Sequence, residues 1–188
     1  KTINDEFNIP KKTKIILSAG RITKDKGVED FCKIAKRLNS NKVKFIFLGH
    51  YRDEKYYQSL KKKYSKFVIF PGIRRDIKKF YNSSYIFLLL SHRESAGLVL
   101  AEDMNFKLPL VGWNIIGVNE IIKNGYNGEL IKFGDISTAI KKINNFLNKK
   151  KKYLKFSKNS FMSLNKYKIE NSVEKLIKKF QKIQKKII

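Results

Sequence analysis

Short apolar runs alternate with amphipathic segments along this chain. Lys14 to Ala19 (KIILSA), with Ile15, Ile16 and Leu17 in succession, ends at Gly20, which predicts a buried strand. From Gly27 to Leu38, the apolar residues Val28, Phe31, Ile34, Ala35 and Leu38 fall at helical spacing. Val43 to Leu48 (VKFIFL) predicts a second strand, ended by Gly49, and Glu54 to Tyr64 a helix. Phe67 to Phe70 predicts a third strand, stopped by Pro71-Gly72, with a short helix over Asp76 to Tyr81. Tyr85 to Leu90 is the most apolar run and predicts the central strand. A helix over Ser95 to Phe106, a strand over Leu108 to Val111 and a short helix over Val118 to Lys123 follow. A last strand is expected over Glu129 to Phe133, and a helix over Thr138 to Leu147.

Strands that alternate with helices through short connections form βαβ units and a parallel sheet. Strands without polar alternation are covered on both faces. The expected fold is therefore α/β, a Rossmann-like doubly wound parallel sheet with helices on both faces. In such sheets ligands bind beyond the carboxyl ends of the strands, so the loops after Ala19, Leu48, Phe70, Leu90 and Val111 are the ones to inspect.

Composition adds charge to this picture. The chain of 188 residues carries 42 Lys and Arg against 16 Asp and Glu, a net charge of +26. Such a charge favours anionic partners, whether phosphorylated ligands, acidic membrane surface or nucleic acid. An abundance of Lys, Ile and Asn is also what an AT-rich coding sequence produces. Residues 141–188 hold 16 Lys and two acids, Glu170 and Glu174. Lys149 to Lys152 reads as a solvated charge run, and Ile169, Val173, Leu176, Ile177, Phe180 and Ile183 give a helical apolar stripe in a basic tail. The organisation expected is a linker over 1–13, a ligand-binding domain over 14–148 and a helical tail over 149–188.

Cys32 is the only cysteine, which excludes an internal disulfide and fits a reducing compartment. Its expected role is a small buried side chain on a helix. No apolar run reaches the ~20 residues that cross a bilayer, and the first residues do not form a signal peptide. Two histidines, His50 and His92, and one cysteine show no metal-ligand spacing.

Two loops carry chemistry. Gly20-Arg21-Ile22-Thr23-Lys24-Asp25-Lys26-Gly27 sets Arg21 and Lys26 near a helix start, where backbone amides already favour an anion. This suits a diphosphate clamp, and it matches neither GxxxxGK[ST] nor GxGxxG. The second loop, Ser91-His92-Arg93-Glu94-Ser95-Ala96-Gly97-Leu98-Val99-Leu100-Ala101-Glu102, follows the most apolar strand. Glu94 and Glu102 are separated by about 12 Å along an ideal helix. That separation suits the two ends of a nucleotide diphosphate-sugar, with ionised carboxylates accepting hydrogen bonds from hydroxyls.

The segment Ser91 to Gly112 (SHRESAGLVLAEDMNFKLPLVG) resembles the signature of glycosyltransferase family 4, which carries Glu-x7-Glu, as E-G-x-G-L-V-L-x-E-A-M, before a Gly-Pro-Val-type strand. Gly20-Arg21 with Lys26-Gly27 resembles that family's GR…KG loop, and Phe70-Pro71-Gly72 its F-x-G. Gly117 to Ile122 resembles its G-x-x-E-I-I. Asn124 to Gly128 with Gly134-Asp135 resembles its N-G-x-x-G…GD. The resemblance implies a GT-B architecture of two Rossmann-like domains, of which this chain matches the C-terminal, donor-binding half. An acceptor domain would precede Lys1.

The resemblance further implies that Arg21, Lys26 and the amides of Gly97 and Leu98 hold the donor diphosphate. Glu94 would meet the transferred sugar in the catalytic site, Glu102 the ribose, and Gly72 and Ile73 the base. It implies transfer with retention, no cofactor and no metal, because cationic side chains and helix amides stabilise the leaving diphosphate. It also implies a glycan or lipid-linked acceptor, surface polysaccharide or glycolipid synthesis, and a cytoplasmic enzyme peripheral on the inner face of the membrane. Four departures stand out. Ser95-Ala96 replaces Gly-Phe, Asp103 replaces Ala, Gly49-His50-Tyr51 replaces Gly-x-Gly, and Gly112-Trp113-Asn114 replaces a run of small residues.

Two other classes compete. A basic nucleic-acid-binding module is suggested by charge, but no recognition motif accompanies it, and charge alone gives non-specific, salt-sensitive binding. A sugar epimerase or phosphorylase of the same fold is the other alternative.

Overall fold

The computed structural model describes residues 2–94 and 104–164. In chain order the elements are α1 (Ile3–Glu6), β1 (Lys14–Ala19), a 3-10 turn (Lys24–Lys26), α2 (Val28–Arg37), β2 (Val43–Leu48), α3 (Glu54–Tyr64), β3 (Val68–Gly72) and α4 (Ile77–Ser83). They continue with β4 (Ser84–Leu89), β5 (Leu110–Trp113), β6 (Gly128–Ile131), α5 (Ile136–Asn148) and α6 (Lys150–Ser163).

The six strands form one sheet in the order β3-β2-β1-β4-β5-β6. Each neighbouring pair is parallel, with Ile16 beside both Phe45 and Ile86, and Val111 beside both Leu88 and Glu129. Order 3-2-1-4-5-6 winds the chain outward in both directions from β1. The topological switch point therefore lies between β1 and β4, and ligand crevices open at the carboxyl ends there.

Both faces of the sheet are buried, which explains the lack of polar alternation in the strands. Ile16, Phe45, Phe47, Ile86 and Leu88 pack with Phe31, Ile34, Ile143, Phe146 and Phe156 of α2, α5 and α6. Ile15, Leu17, Ile46, Leu48, Phe87 and Leu89 pack on the opposite side with Ile3, Phe80 and Tyr81 of α1 and α4. Phe31 meets Phe45 and Phe47 edge-on, at 5.4 and 5.5 Å between ring centres. Cys32 is buried on α2 as expected, and burial pushes its thiol pKa up.

Several elements differ from the sequence reading. The strand expected to stop before Pro71-Gly72 runs through both, because β3 is an edge strand where proline's missing N–H costs no ladder bond. The segment Val118 to Lys123 is a set of turns, not a helix. Gly117 and Gly125 flank it in the left-handed region, and Val118 and Ile122 fit against Gly112 of β5. Of the charge run Lys149 to Lys152, the first three lysines are exposed as expected, and Lys152 is not. Lys150 starts α6, and Lys152 bonds the buried carboxylate of Glu129 at 2.5 Å, where Lys142 also donates at 2.7 Å. Residues 2–13 contain α1, whose Ile3 is buried, as is Ile9 after it. The apolar stripe from Ile169 to Ile183 lies outside the described residues.

Candidate functional site

Three backbone ties join the loops at the carboxyl edge. The Ile22 N–H donates to the His50 carbonyl at 2.8 Å, the Gly49 N–H to the Gly72 carbonyl at 3.1 Å and the His92 N–H to the Asp25 carbonyl at 2.7 Å. Two glycines allow this closeness. A Cβ on Gly49 would lie 1.7 Å from the Gly20 carbonyl oxygen, and one on Gly27 would lie 1.8 Å from that of Leu90. The GR…KG loop is thus locked to the loops after β2 and β4 by backbone contact.

Next to these ties lies a cavity of about 320 Å³, lined by Arg21, His50, Gly72, Ile73, Arg74 and Ile77 among others. It collects Arg21, Gly72 and Ile73, three of the residues selected from sequence. Gly72 adopts φ 77° with open space where a Cβ would stand, and the Ile73 side chain is 75% exposed at the rim. Such a floor of backbone and apolar surface accepts a flat ring without charge complementarity.

Across the switch point, Lys26 Nζ lies 2.8 Å from Glu94 Oε2, with side-chain exposures of 19% and 14%. Here the structure brings the fourth and fifth selected residues into one ion pair. The 3-10 turn carries Lys26, and Gly27 (φ 64°) redirects the chain into α2. Glu94 is braced from the other side, since a Cβ on Gly117 would stand 2.3 Å from its carbonyl oxygen. Gly97, Leu98 and Glu102 lie outside the described residues.

His92 is exposed. Its Nε2 lies 3.2 Å from Asp30 Oδ2 and its ring meets Phe133 edge-on at 5.0 Å. His50 lines the cavity. Among the described residues no group of three or more His, Cys, Asp or Glu side chains is placed to hold a metal ion.

Sequence reasoning missed Arg74. Its guanidinium bonds Asp76 through Nε and Nη2 at 2.9 and 3.0 Å, and Glu6 of α1 through Nη1 and Nη2 at 2.5 and 3.0 Å. The Arg74 hydrogen bonds hold the Asp76 carboxyl down at about 2. Arg74 thereby ties the cavity rim to α1. The resemblance marked Gly72 and Ile73, the two residues just before it, but among 42 basic residues nothing singled out Arg74.

The 3-2-1-4-5-6 parallel sheet, with a cavity at the carboxyl ends of β1, β2 and β3, is Rossmann-like, and its structural neighbours are GT-B glycosyltransferases. The family model for glycosyl transferases group 1 matches residues 1–163, and the chain belongs to that family. It is 28% identical over 155 residues to the capsular polysaccharide biosynthesis glycosyltransferase CapM of Staphylococcus aureus, covering 79% of this chain and 38% of CapM. Among solved structures, Anabaena HepE in complex with UDP and glucose superposes with a TM-score of 0.86 at 17% identity, over 96% of this chain and 51% of HepE. The C-terminal domain of LpcC, a group 1 glycosyl transferase of Francisella tularensis, superposes with a TM-score of 0.77 at 25% identity, over 88% of this chain and 91% of that domain. The chain therefore spans about half the length of HepE and less than half of CapM.

Proposed function

We propose that this chain is the donor-binding half of a retaining glycosyltransferase of family 4, and that it binds a nucleotide diphosphate-sugar. The observation that carries the reading is the placement of the cavity, Arg21 and the Lys26–Glu94 pair along the same carboxyl edge of the sheet. The base rests on Gly72 and Ile73. Arg21 and Lys26, with the amides of Gly97 and Leu98, neutralise the diphosphate, and Glu102 accepts from the ribose hydroxyls. Lys26 is near enough to its carboxylate partner to pass from Glu94 to a phosphate oxygen, which leaves Glu94 to accept from sugar hydroxyls.

As the C–O bond to the diphosphate breaks, negative charge grows on the leaving oxygens. Arg21 and Lys26 stabilise that charge without metal. Glu94 and Glu102 are binding groups, so the acid and nucleophile spacing of glycosidases does not apply.

The acceptor, a glycan or lipid-linked saccharide, requires a second domain, and the chain alone is expected to be inactive. The match to nearly all of a C-terminal domain, but only about half of HepE and less than half of CapM, supports this division. Surface polysaccharide synthesis is the favoured setting, in line with CapM. The +26 charge favours peripheral attachment to the anionic inner face of a membrane, and among the described residues no helix is long and apolar enough to cross one.

A thermal-shift panel of UDP, GDP, ADP and their sugar conjugates tests the donor reading. One nucleoside diphosphate should raise the melting temperature and its sugar conjugate should raise it further. A flat panel contradicts the reading. Robust sugar transfer by the purified chain would overturn the division of labour.

A further inference from the structure

A second basic cavity opens at the amino-terminal edge of the sheet, at the other end of β1. It encloses about 530 Å³ and is lined by Lys12, Lys14 and Lys42 together with Leu38, Val43 and Leu147. Lys14 begins β1 and Ala19 ends it, so at about 3.3 Å per residue the two cavities are roughly 17 Å apart. Nothing in the donor reading uses this edge.

Its chemistry is one-sided. No Asp or Glu lines the cavity, and among the described residues Lys12, Lys14 and Lys42 enter none of the ion pairs. Lys14 is held in place by neutral groups. Its ammonium donates to the Leu147 carbonyl at 2.5 Å and stands 4.4 Å above the Tyr85 ring, which stacks on Tyr153 of α6 at 3.7 Å. Partial burial lowers the Lys14 pKa, a sign that its charge is desolvated without a carboxylate in return.

An inorganic anion would use the lysines and leave the walls of Leu38, Val43 and Leu147 bare. A neutral apolar molecule would do the reverse. We propose that this cavity binds an anionic amphiphile, a phosphate-bearing head joined to hydrocarbon. The head sits among Lys12, Lys14 and Lys42, and the hydrocarbon lies on Leu38, Val43 and Leu147. Lys149, Lys150 and Lys151, which follow the lining residues Leu147 and Asn148 in sequence where α5 passes into α6, are exposed. Such a ligand can be a phospholipid within a bilayer or a free phosphate ester, and its binding is independent of the donor site.

The test is calorimetric titration of the whole chain, at physiological salt, with dihexanoyl phosphatidylglycerol below its micelle concentration. Dihexanoyl phosphatidylcholine and inorganic phosphate serve as comparators. The double variant Lys12→Gln/Lys42→Gln is set against Lys61→Gln/Lys62→Gln, an equal charge change on exposed positions of α3. Phosphatidylglycerol should bind about tenfold tighter than either comparator, and the cavity variant should lose about tenfold where the α3 variant loses less than about twofold. Saturating UDP should leave the titration unchanged. Cosedimentation with phosphatidylglycerol vesicles that the cavity variant loses identifies a bilayer lipid as the source. Binding of the soluble amphiphile without such cosedimentation identifies a free phosphate ester. Equal losses in the two variants, phosphatidylglycerol no tighter than phosphate, or no binding at all would overturn the proposal.

Discussion

Lys26 and Glu94, 68 residues apart in sequence, close an ion pair of 2.8 Å over the switch point of the sheet. In the proposed reaction one of these side chains serves the diphosphate and the other the sugar, so donor binding exchanges a protein–protein pair for two protein–ligand contacts. This exchange makes the two halves of the donor separable. In Glu94→Gln, Lys26 is released, and the preferred nucleoside diphosphate should bind about threefold tighter, roughly 0.7 kcal/mol. The extra affinity of its sugar conjugate should fall about tenfold. Calorimetry on both ligands checks the opposed signs; parallel losses would place Glu94 outside the sugar contact.

Gly49 carries a different expectation. Its φ is 148°, and a Cβ added there would come within 1.7 Å of the Gly20 carbonyl oxygen, so no side chain fits. Gly49→Ala must push the β2 loop away from the GR…KG loop, costing about 2 kcal/mol or more. Chemical denaturation should show that loss, and nucleotide affinity should fall with it, since Gly49 lines the cavity. An unaltered midpoint would show that the loops are not in contact.

The clasp of Glu129 between Lys142 and Lys152 should govern the docking of α6. Burial alone would raise the Glu129 pKa, but the hydrogen bonds from both lysines outweigh it and hold the pKa below its ordinary value. A depressed carboxylate stabilises the fold above its unfolded pKa, about 4.3, and that contribution is lost as pH falls through the lower folded value. Glu129→Gln should cost about 2 kcal/mol at neutral pH, the low end for a buried pair because the lysine ends are partly exposed. The difference from wild type should shrink below about pH 4. Urea titrations at neutral and acid pH check this; a constant difference would refute the clasp.

Local pattern carried much of the fold. β1, β2 and α3 occupy the very residues expected from hydrophobic periodicity, because both faces of the sheet are buried and each run ends at a glycine or a cap. Val118, Ile121 and Ile122 misled because i, i+3, i+4 spacing also describes turns tucked beneath a strand. The extension of β3 through Pro71 depends on that strand being at the edge, a property of the whole sheet and not of the segment. Motifs picked out Arg21, Lys26, Gly72, Ile73 and Glu94 as candidates, and the fold brings these five to the carboxyl edge of the sheet. The bonds of Arg74 to Glu6 and of Lys152 to Glu129 were not legible, since each lysine or arginine resembles all the others until the fold chooses its partner.

On the proposed reading, the carboxyl edge of the sheet holds a nucleotide diphosphate-sugar. The most direct test of this reading is calorimetric titration of wild type and Glu102→Ala with UDP first, then GDP and ADP. One diphosphate should bind with unit stoichiometry, and Glu102→Ala should weaken it about tenfold through lost ribose hydrogen bonds. Equal affinity in wild type and variant, or heat from none of the three, would contradict the donor site as drawn.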